Sequence, residues 1–278
     1  MFSTTAVIIT ISVVFGIIGI CLAIFIPLYV INEKYKKFVL EHSEALKELD
    51  KINRHYNFNI IRNCNLESSY DNENYFDMIS PKDYLIYQLV EIQKTVFNAM
   101  NDTYGNKIMY EKYQQDIEEK CKFESFDTNQ IPKNKKRLSK VEKNLFSERK
   151  KEPQTEYFIS VFLKLTDLNG RYLRSKHDLF YSNEIRSLIG RVNNKRGNFY
   201  LDEQIWNAIV RVERGKVSNK LRFAIYARDG NRCRICGRKT DDLEIDHIIP
   251  IAKGGKSTYD NLQTLCHRCN KKKGDKII

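Results

Sequence analysis

Two cysteine pairs near the C-terminal end, Cys233-x-x-Cys236 and Cys266-x-x-Cys269, constrain this chain more than any other feature. A C-x-x-C knuckle delivers two thiolates from one tight turn, and two knuckles fill the tetrahedral shell of a structural Zn²⁺. The spacing therefore predicts that Cys233, Cys236, Cys266 and Cys269 close around one zinc ion and leave no position open for water. A region of roughly 60 residues has too little core to hold itself firmly, so the metal acts as its staple. Twenty-nine residues separate Cys236 from Cys266, more than a zinc ribbon usually has, so something is built inside the closed loop. That loop contains Leu243-Glu-Ile-Asp-His-Ile-Ile-Pro250, which sets an acid beside a histidine, the pair that metal-assisted hydrolysis requires.

Charge points to a polyanionic partner. The formal net charge is +12, and residues 211–278 hold 17 Lys and Arg against 8 Asp and Glu. Residues 133–151 hold 9 against 2. A lysine-rich stretch alone is as well explained by solvation, but beside an Asp-His pair between zinc knuckles it favours nucleic acid.

Residues 6–31 carry no charged side chain. A helix of that length reaches about 39 Å, more than the roughly 30 Å hydrocarbon core, so the sequence predicts a transmembrane helix over 6–31 behind a tail at 1–5. A cleaved signal peptide is disfavoured, because Met1–Thr5 has no basic side chain and the apolar run is too long. Lys34, Lys36 and Lys37 crowd its C-terminal flank, which by the positive-inside rule predicts a single-pass membrane protein with its N-terminus outside and the remainder cytoplasmic. The competing topology faces the bulk of the chain outward at the cell surface. Cys21, Cys64 and Cys121 suggest no disulfide framework, in keeping with a reducing compartment.

Between these ends the reading is coarser. A helix is expected over 33–56, with Phe38, His42, Ala45, Leu49, Ile52 and Tyr56 at three-to-four spacing. That stripe can pair two chains in a homodimer or pack within its own domain. Residues 63–79 read as a loop, and 82–100 and 108–121 as two amphipathic helices, so that 32–132 forms a helical region of unknown role. Residues 133–153 read as a basic linker. Tyr157, Ile159, Val161, Leu163 and Leu165 alternate as one strand of a hairpin turning at Asp167-Leu-Asn-Gly170, with helices at 183–192 and 202–212 completing a segment over 154–215. Asp202 is expected to cap the second helix, with Trp206, Ile209 and Val210 inward, and Ser218 to cap another over 219–227 that buries Leu221, Phe223 and Ile225.

The string Arg228-Asp-Gly-Asn-Arg-Cys-Arg-Ile-Cys-Gly237, Asp246-His247-Ile-Ile-Pro250, Gly254-Gly255, Asp260-Asn-Leu-Gln-Thr-Leu-Cys266 and Cys269-Asn-Lys-Lys-Lys-Gly274 resembles the HNH nucleases, also called the ββα-metal or His-Me finger family. The family's third letter is often histidine; here that position is Asn270. The resemblance implies a domain over 216–278 in which Asp246 and Asn270 give oxygen ligands to a catalytic Mg²⁺ or Mn²⁺, hard ions that suit such donors. It implies that His247 is the general base and that Asn261 supports the loop and orients the histidine. Arg268, Lys271, Lys272 and Lys273 surround the motif helix and are expected on backbone phosphates. His267, inside the second knuckle, is left outside the closed four-cysteine set.

The whole reading is an α+β chain: an N-terminal transmembrane helix, a mostly helical middle with a β-hairpin, and a zinc-stapled ββα-metal nuclease domain. Its expected work is metal-dependent hydrolysis of nucleic acid, double-stranded DNA above all, with defence against incoming DNA as the suggested setting. The alternative of another class is a non-catalytic zinc module that binds nucleic acid or a protein.

Overall fold

The computed structural model describes residues 29–123, 135–197 and 199–277. The chain divides into two compact units, Met1–Asn59 with Asn106–Pro153, and Ile60–Gly105 with Gln154–Ile278. Both are discontinuous, because one 40-residue helix, Pro81–Lys120, belongs to each in part.

In the first unit, helical residues 29–42 (α1) stop before Ser43, which caps Glu44–His55 (α2) by accepting from the Leu46 N–H at 3.1 Å. The same hydroxyl donates to buried Glu142 at 2.6 Å, so the sequence break within 33–56 is used twice. Ala45, Leu46, Leu49 and Ile52 are buried with Tyr113, Ile117, Leu138 and Phe146. The stripe thus packs within its own unit, and nothing here supports the homodimer. Residues 135–149, expected inside a basic linker, form a helix instead, Lys135–Arg149 (α5), because Leu138, Val141, Leu145 and Phe146 recur at helical spacing and bury.

The membrane reading is corrected. Among the described residues no helix is long and apolar enough to cross a membrane. Residues 6–28 of the expected span lie outside the described residues, and α1 carries Glu33, Lys34, Lys36, Lys37 and Glu41 while burying Val39 in the unit's core. The expected transmembrane helix and single-pass membrane location have no support among the described residues.

The second unit is built on a three-stranded sheet. Cys64–Tyr70 (β1) runs parallel to Phe158–Thr166 (β2), which pairs antiparallel with Tyr172–Tyr181 (β3). The β2–β3 hairpin is local and legible; β1 falls in the stretch expected to be a loop. Its sequence is polar, yet alternate residues Cys64, Leu66 and Tyr70 face the core that Ile159, Val161, Leu163 and Leu165 also enter. A short helix, Glu73–Met78 (α3), precedes the long helix Pro81–Lys120 (α4). Ser80 and Asp83 close a reciprocal cap on α4, Ser80 N–H to Asp83 at 2.9 Å and Asp83 N–H to Ser80 at 3.1 Å, with Pro81 in the first turn. The expected break near residue 105 is absent. Asn106, whose residue type disfavours a helix interior, is buried and spends its amide on the Asn59 backbone, accepting at 2.8 Å and donating at 2.9 Å.

Ser182–Asn193 (α6) and Glu203–Gly215 (α7) follow, the latter capped by Asp202 as the sequence reading expects. Its buried stripe is Ile205, Ala208 and Val212, one step from the expected Trp206 and Val210, which stay half-exposed. Lys195–Arg196 (β4) and Phe199–Tyr200 (β5) pair between those helices. The C-terminal part comprises Asn219–Arg228 (α8), Leu243–His247 (β6), Leu262–Cys266 (β7) and His267–Lys273 (α9). Ser218 caps α8, and Leu221 and Ile225 pack with Val217 and Leu262. Phe223 remains exposed because its position lies about 200° round the helix from Leu221.

Candidate active site

The two cysteine knuckles meet at one end of the β6–β7 pair. Gly237 takes φ +71°, and its N–H bonds the Cys233 carbonyl at 2.8 Å, folding the first knuckle; the second opens α9, with Cys266 as the cap residue. The four sulfurs lie within 4.8 Å of one another, and Cys236 and Cys266 are 3.9 Å apart. A tetrahedron with Zn–S of about 2.3 Å spaces its sulfurs by about 3.8 Å, so the donor set fits a structural zinc ion. Burial works against a thiolate at Cys233, but backbone N–H groups of the knuckles outweigh it and hold the thiol down at about 6. Burial and the neighbouring sulfurs raise Cys269 instead. Four thiolates this close need a cation between them.

Strand β6 pairs antiparallel with β7, Asp246 opposite Gln263 and His247 opposite Leu262. Alternation sends Glu244 and Asp246 to one side and Ile245 and His247 to the other. On the first side, Asp246 accepts from Gln263 at 3.0 Å and pairs with Lys273 at 3.1 Å. Glu244 accepts from the Asn270 amide and from His267 at 2.7 Å, and these donors, the amide first, hold its carboxyl below the usual range. Lys273 is 1% exposed and also donates to the His247 carbonyl at 2.7 Å. It is therefore correlated with the strand and not with a phosphate backbone, unlike Arg268, Lys271 and Lys272, which are exposed.

On the second side, His247 Nε2 lies 2.8 Å from Ser257 Oγ. Ser257 donates its hydroxyl to the Glu213 carbonyl at 2.6 Å, and its N–H reaches the Glu213 carboxylate at 2.9 Å. With the hydroxyl hydrogen committed, Oγ can only accept from the ring, which puts the proton on Nε2 and leaves Nδ1 with its lone pair. Burial lowers the imidazole's pKa, so the ring is neutral near pH 7. Glu213 is 2% exposed; burial opposes its charge, but the Tyr87 hydroxyl and the Ser257 N–H keep it ionised.

Asn261 does not touch the imidazole. It exchanges two bonds with Ile249, Oδ1 accepting at 2.8 Å and Nδ2 donating at 3.1 Å, and donates to the Lys256 carbonyl at 2.9 Å, clamping the loop that carries Ser257. Gly255 lies in that loop with a would-be Cβ 1.8 Å from the Ile249 carbonyl oxygen, so only glycine fits. Buried Asp229, ion-paired with Arg228 at 2.8 Å and accepting from the Thr264 N–H at 2.8 Å, ties α8 to β7.

Although Asp246 and His247 leave β6 on opposite sides, both line one cavity of about 670 Å³ together with Glu244 and Asn270. Asp246, His247 and Asn270 were legible in the sequence; Glu244, Ser257 and Glu213 were not. For Glu244 a signal existed, since it stands two residues before Asp246 on a strand. Ser257 and Glu213 carry none.

Residues 233–276 match the HNH endonuclease family. A 57-residue stretch, 19% of this chain, is 39% identical to CRISPR-associated endonuclease Cas9 of Corynebacterium diphtheriae and covers 5% of that protein's length. No solved structure matches the chain. The C-terminal part is thus an HNH endonuclease domain, the domain of a metal-dependent nuclease.

Proposed function

We propose that the protein is an endonuclease that hydrolyses phosphodiester bonds of nucleic acid, duplex DNA first among the substrates, with His247 as general base. The observation that carries this reading is the single cavity lined by Asp246, His247 and Asn270. Asp246 and the amide oxygen of Asn270 would hold Mg²⁺ or Mn²⁺, with Glu244 as a further carboxylate on the same side. Bound there, the ion stabilises charge on the phosphoryl and leaving oxygens. His247 takes the proton of the attacking water at Nδ1, because Ser257 retains the proton on Nε2. Lys273 offsets part of the carboxylate charge and fixes the strand through the His247 carbonyl. Asn261 acts at one remove, holding the loop that brings Ser257 to the ring.

The deciding experiment incubates the full chain with supercoiled plasmid, linear duplex and single-stranded DNA, with Mg²⁺, Mn²⁺ or EDTA. Divalent-dependent cleavage is expected, and His247→Ala should abolish it while leaving zinc content and DNA binding near wild type. Binding without cleavage under every metal condition would leave the domain a zinc-stabilised binding module. Undiminished cleavage by His247→Ala would remove the mechanism.

A further inference from the structure

The cavity has a second wall that lies outside the HNH motif. Tyr75 of α3, Trp206, Val210 and Arg214 of α7 and Arg222 of α8 line it opposite β6. Tyr75, Val210 and Arg214 also line an adjoining cavity of about 400 Å³ with Asn72 and Asn74. Trp206 and Ala252 lead on the other side into one of about 310 Å³. The cavity at the Asp246–His247 centre shares Tyr75, Val210 and Arg214 with one neighbour and Trp206, Ala252 and Asp275 with the other, so the three adjoin as one groove.

Charge along this groove is divided. Carboxylates of Glu244 and Asp246 stand on the strand side and Asp275 also lines the cavity, Glu203 lies at the Trp206 end, and the guanidinium groups of Arg214 and Arg222 stand on α7 and α8. Among the described residues Arg149, Arg174, Arg191, Arg211 and Arg228 are each ion-paired with a carboxylate. Arg214 is exposed and, among the described residues, has neither an ion pair nor a hydrogen bond for its guanidinium. Arg222 has no carboxylate either. It lies over the Tyr75 ring at 5.6 Å from the centroid and donates to the Tyr75 hydroxyl at 3.2 Å, which orients it without neutralising it. The wall is held in place: Asp71 accepts from the Asn219 N–H at 2.8 Å, pinning the start of α8 to the loop before α3.

We propose that this helical wall grips the backbone of the nucleic acid being cut, with Arg214 and Arg222 on phosphates flanking the scissile one and Trp206 offering a face to a base on the far side. Two guanidinium groups without a carboxylate partner, Arg222 oriented by Tyr75 and Arg214 exposed, suit a chain of phosphates whose reacting member would be held at the opposite wall by the metal that Asp246 and Asn270 would bind. The half-exposed Trp206 ring lies along the groove and offers a strand a face for stacking. Residues upstream of the HNH domain would then set the path of the substrate. This inference rests on the nuclease reading above.

The test measures binding and cleavage by the full chain carrying Arg214→Gln, Arg214→Lys, Arg222→Gln, the double Gln change or Trp206→Ala. Binding is read with the zinc left in place and no added Mg²⁺ or Mn²⁺, by anisotropy of a short fluorescein-labelled duplex and its matching single strand across a salt series. Each Arg→Gln change should weaken binding about tenfold, the low end for a charge-assisted bond. It should also lower the slope of log K against log salt by about 0.9 on duplex or about 0.7 on single strand. KM should rise with kcat held, as for loss of uniform binding. Arg214→Lys should keep the slope, and Trp206→Ala should weaken the single strand most. Unchanged affinity and slope in the double Gln variant would overturn the groove, even in an enzyme that cleaves. An inactive wild type whose binding still responds to Arg214 and Arg222 would instead defeat the nuclease reading and leave the groove standing.

Discussion

Ser257→Ala offers the most direct test of how His247 is held. The change deletes one oxygen and keeps the backbone N–H of residue 257 on the Glu213 carboxylate at 2.9 Å, so the loop retains its anchor. Two bonds are lost, His247 Nε2 to Oγ at 2.8 Å and Oγ to the Glu213 carbonyl at 2.6 Å. Each is worth about 0.5–1.5 kcal/mol net. Only the first bears on the ring's orientation and tautomer, so kcat should fall about 2- to 13-fold at 1.36 kcal/mol per factor of ten, with KM unchanged. The second bears on stability and should lower Tm by about 1–6 °C. Initial rates on plasmid at saturating Mg²⁺ and a thermal melt separate the two. Ser257→Thr keeps the hydroxyl and should recover most of the rate. In a His247→Ala background Ser257→Ala should still lower Tm, because the bond to the Glu213 carbonyl does not involve the imidazole. An unaltered kcat alongside the expected fall in Tm, or a Thr variant as slow as Ala, would refute the tautomer argument.

Cys266→Ser opens the four-sulfur shell and should cost zinc, fold and activity together, since structural zinc supplies about 10 kcal/mol or more to such small domains; elemental analysis and circular dichroism read this out. Gly255→Ala forces a Cβ onto the Ile249 carbonyl and should displace the Ser257 loop, reducing cleavage with zinc content intact. Because burial holds His247 below its ordinary value, the acid limb of kcat/KM should fall below pH about 6.5, activity persisting until pH drops through the lowered pKa and the ring protonates. A limb above pH 7 would contradict a buried neutral base.

What could be read from the chain alone was whatever short-range chemistry dictates. Cysteine knuckles at fixed spacing, the Asp246–His247 pair, the caps at Asp202 and Ser218 and the β2–β3 hairpin each depend on residues within one turn or one loop, so their signal survives without a partner. Partners distant in the chain were illegible. Strand β1 is polar in sequence and exists because β2, almost a hundred residues on, offers it a parallel ladder, a pairing no local pattern announces. Helix α4 continues through Gly105 and Asn106 because the backbone at Asn59 satisfies the Asn106 amide, a tertiary bond overriding a local preference. The N-terminal apolar run invited a membrane helix on composition, and among the described residues α1 carries charged side chains and buries Val39 in a protein core. The active centre divides in the same way. Asp246, His247 and Asn270 are motif residues, whereas the contacts of Ser257 and Glu213 at His247 and the lining of the cavity by Arg214 and Arg222 come from residues that only folding brings together.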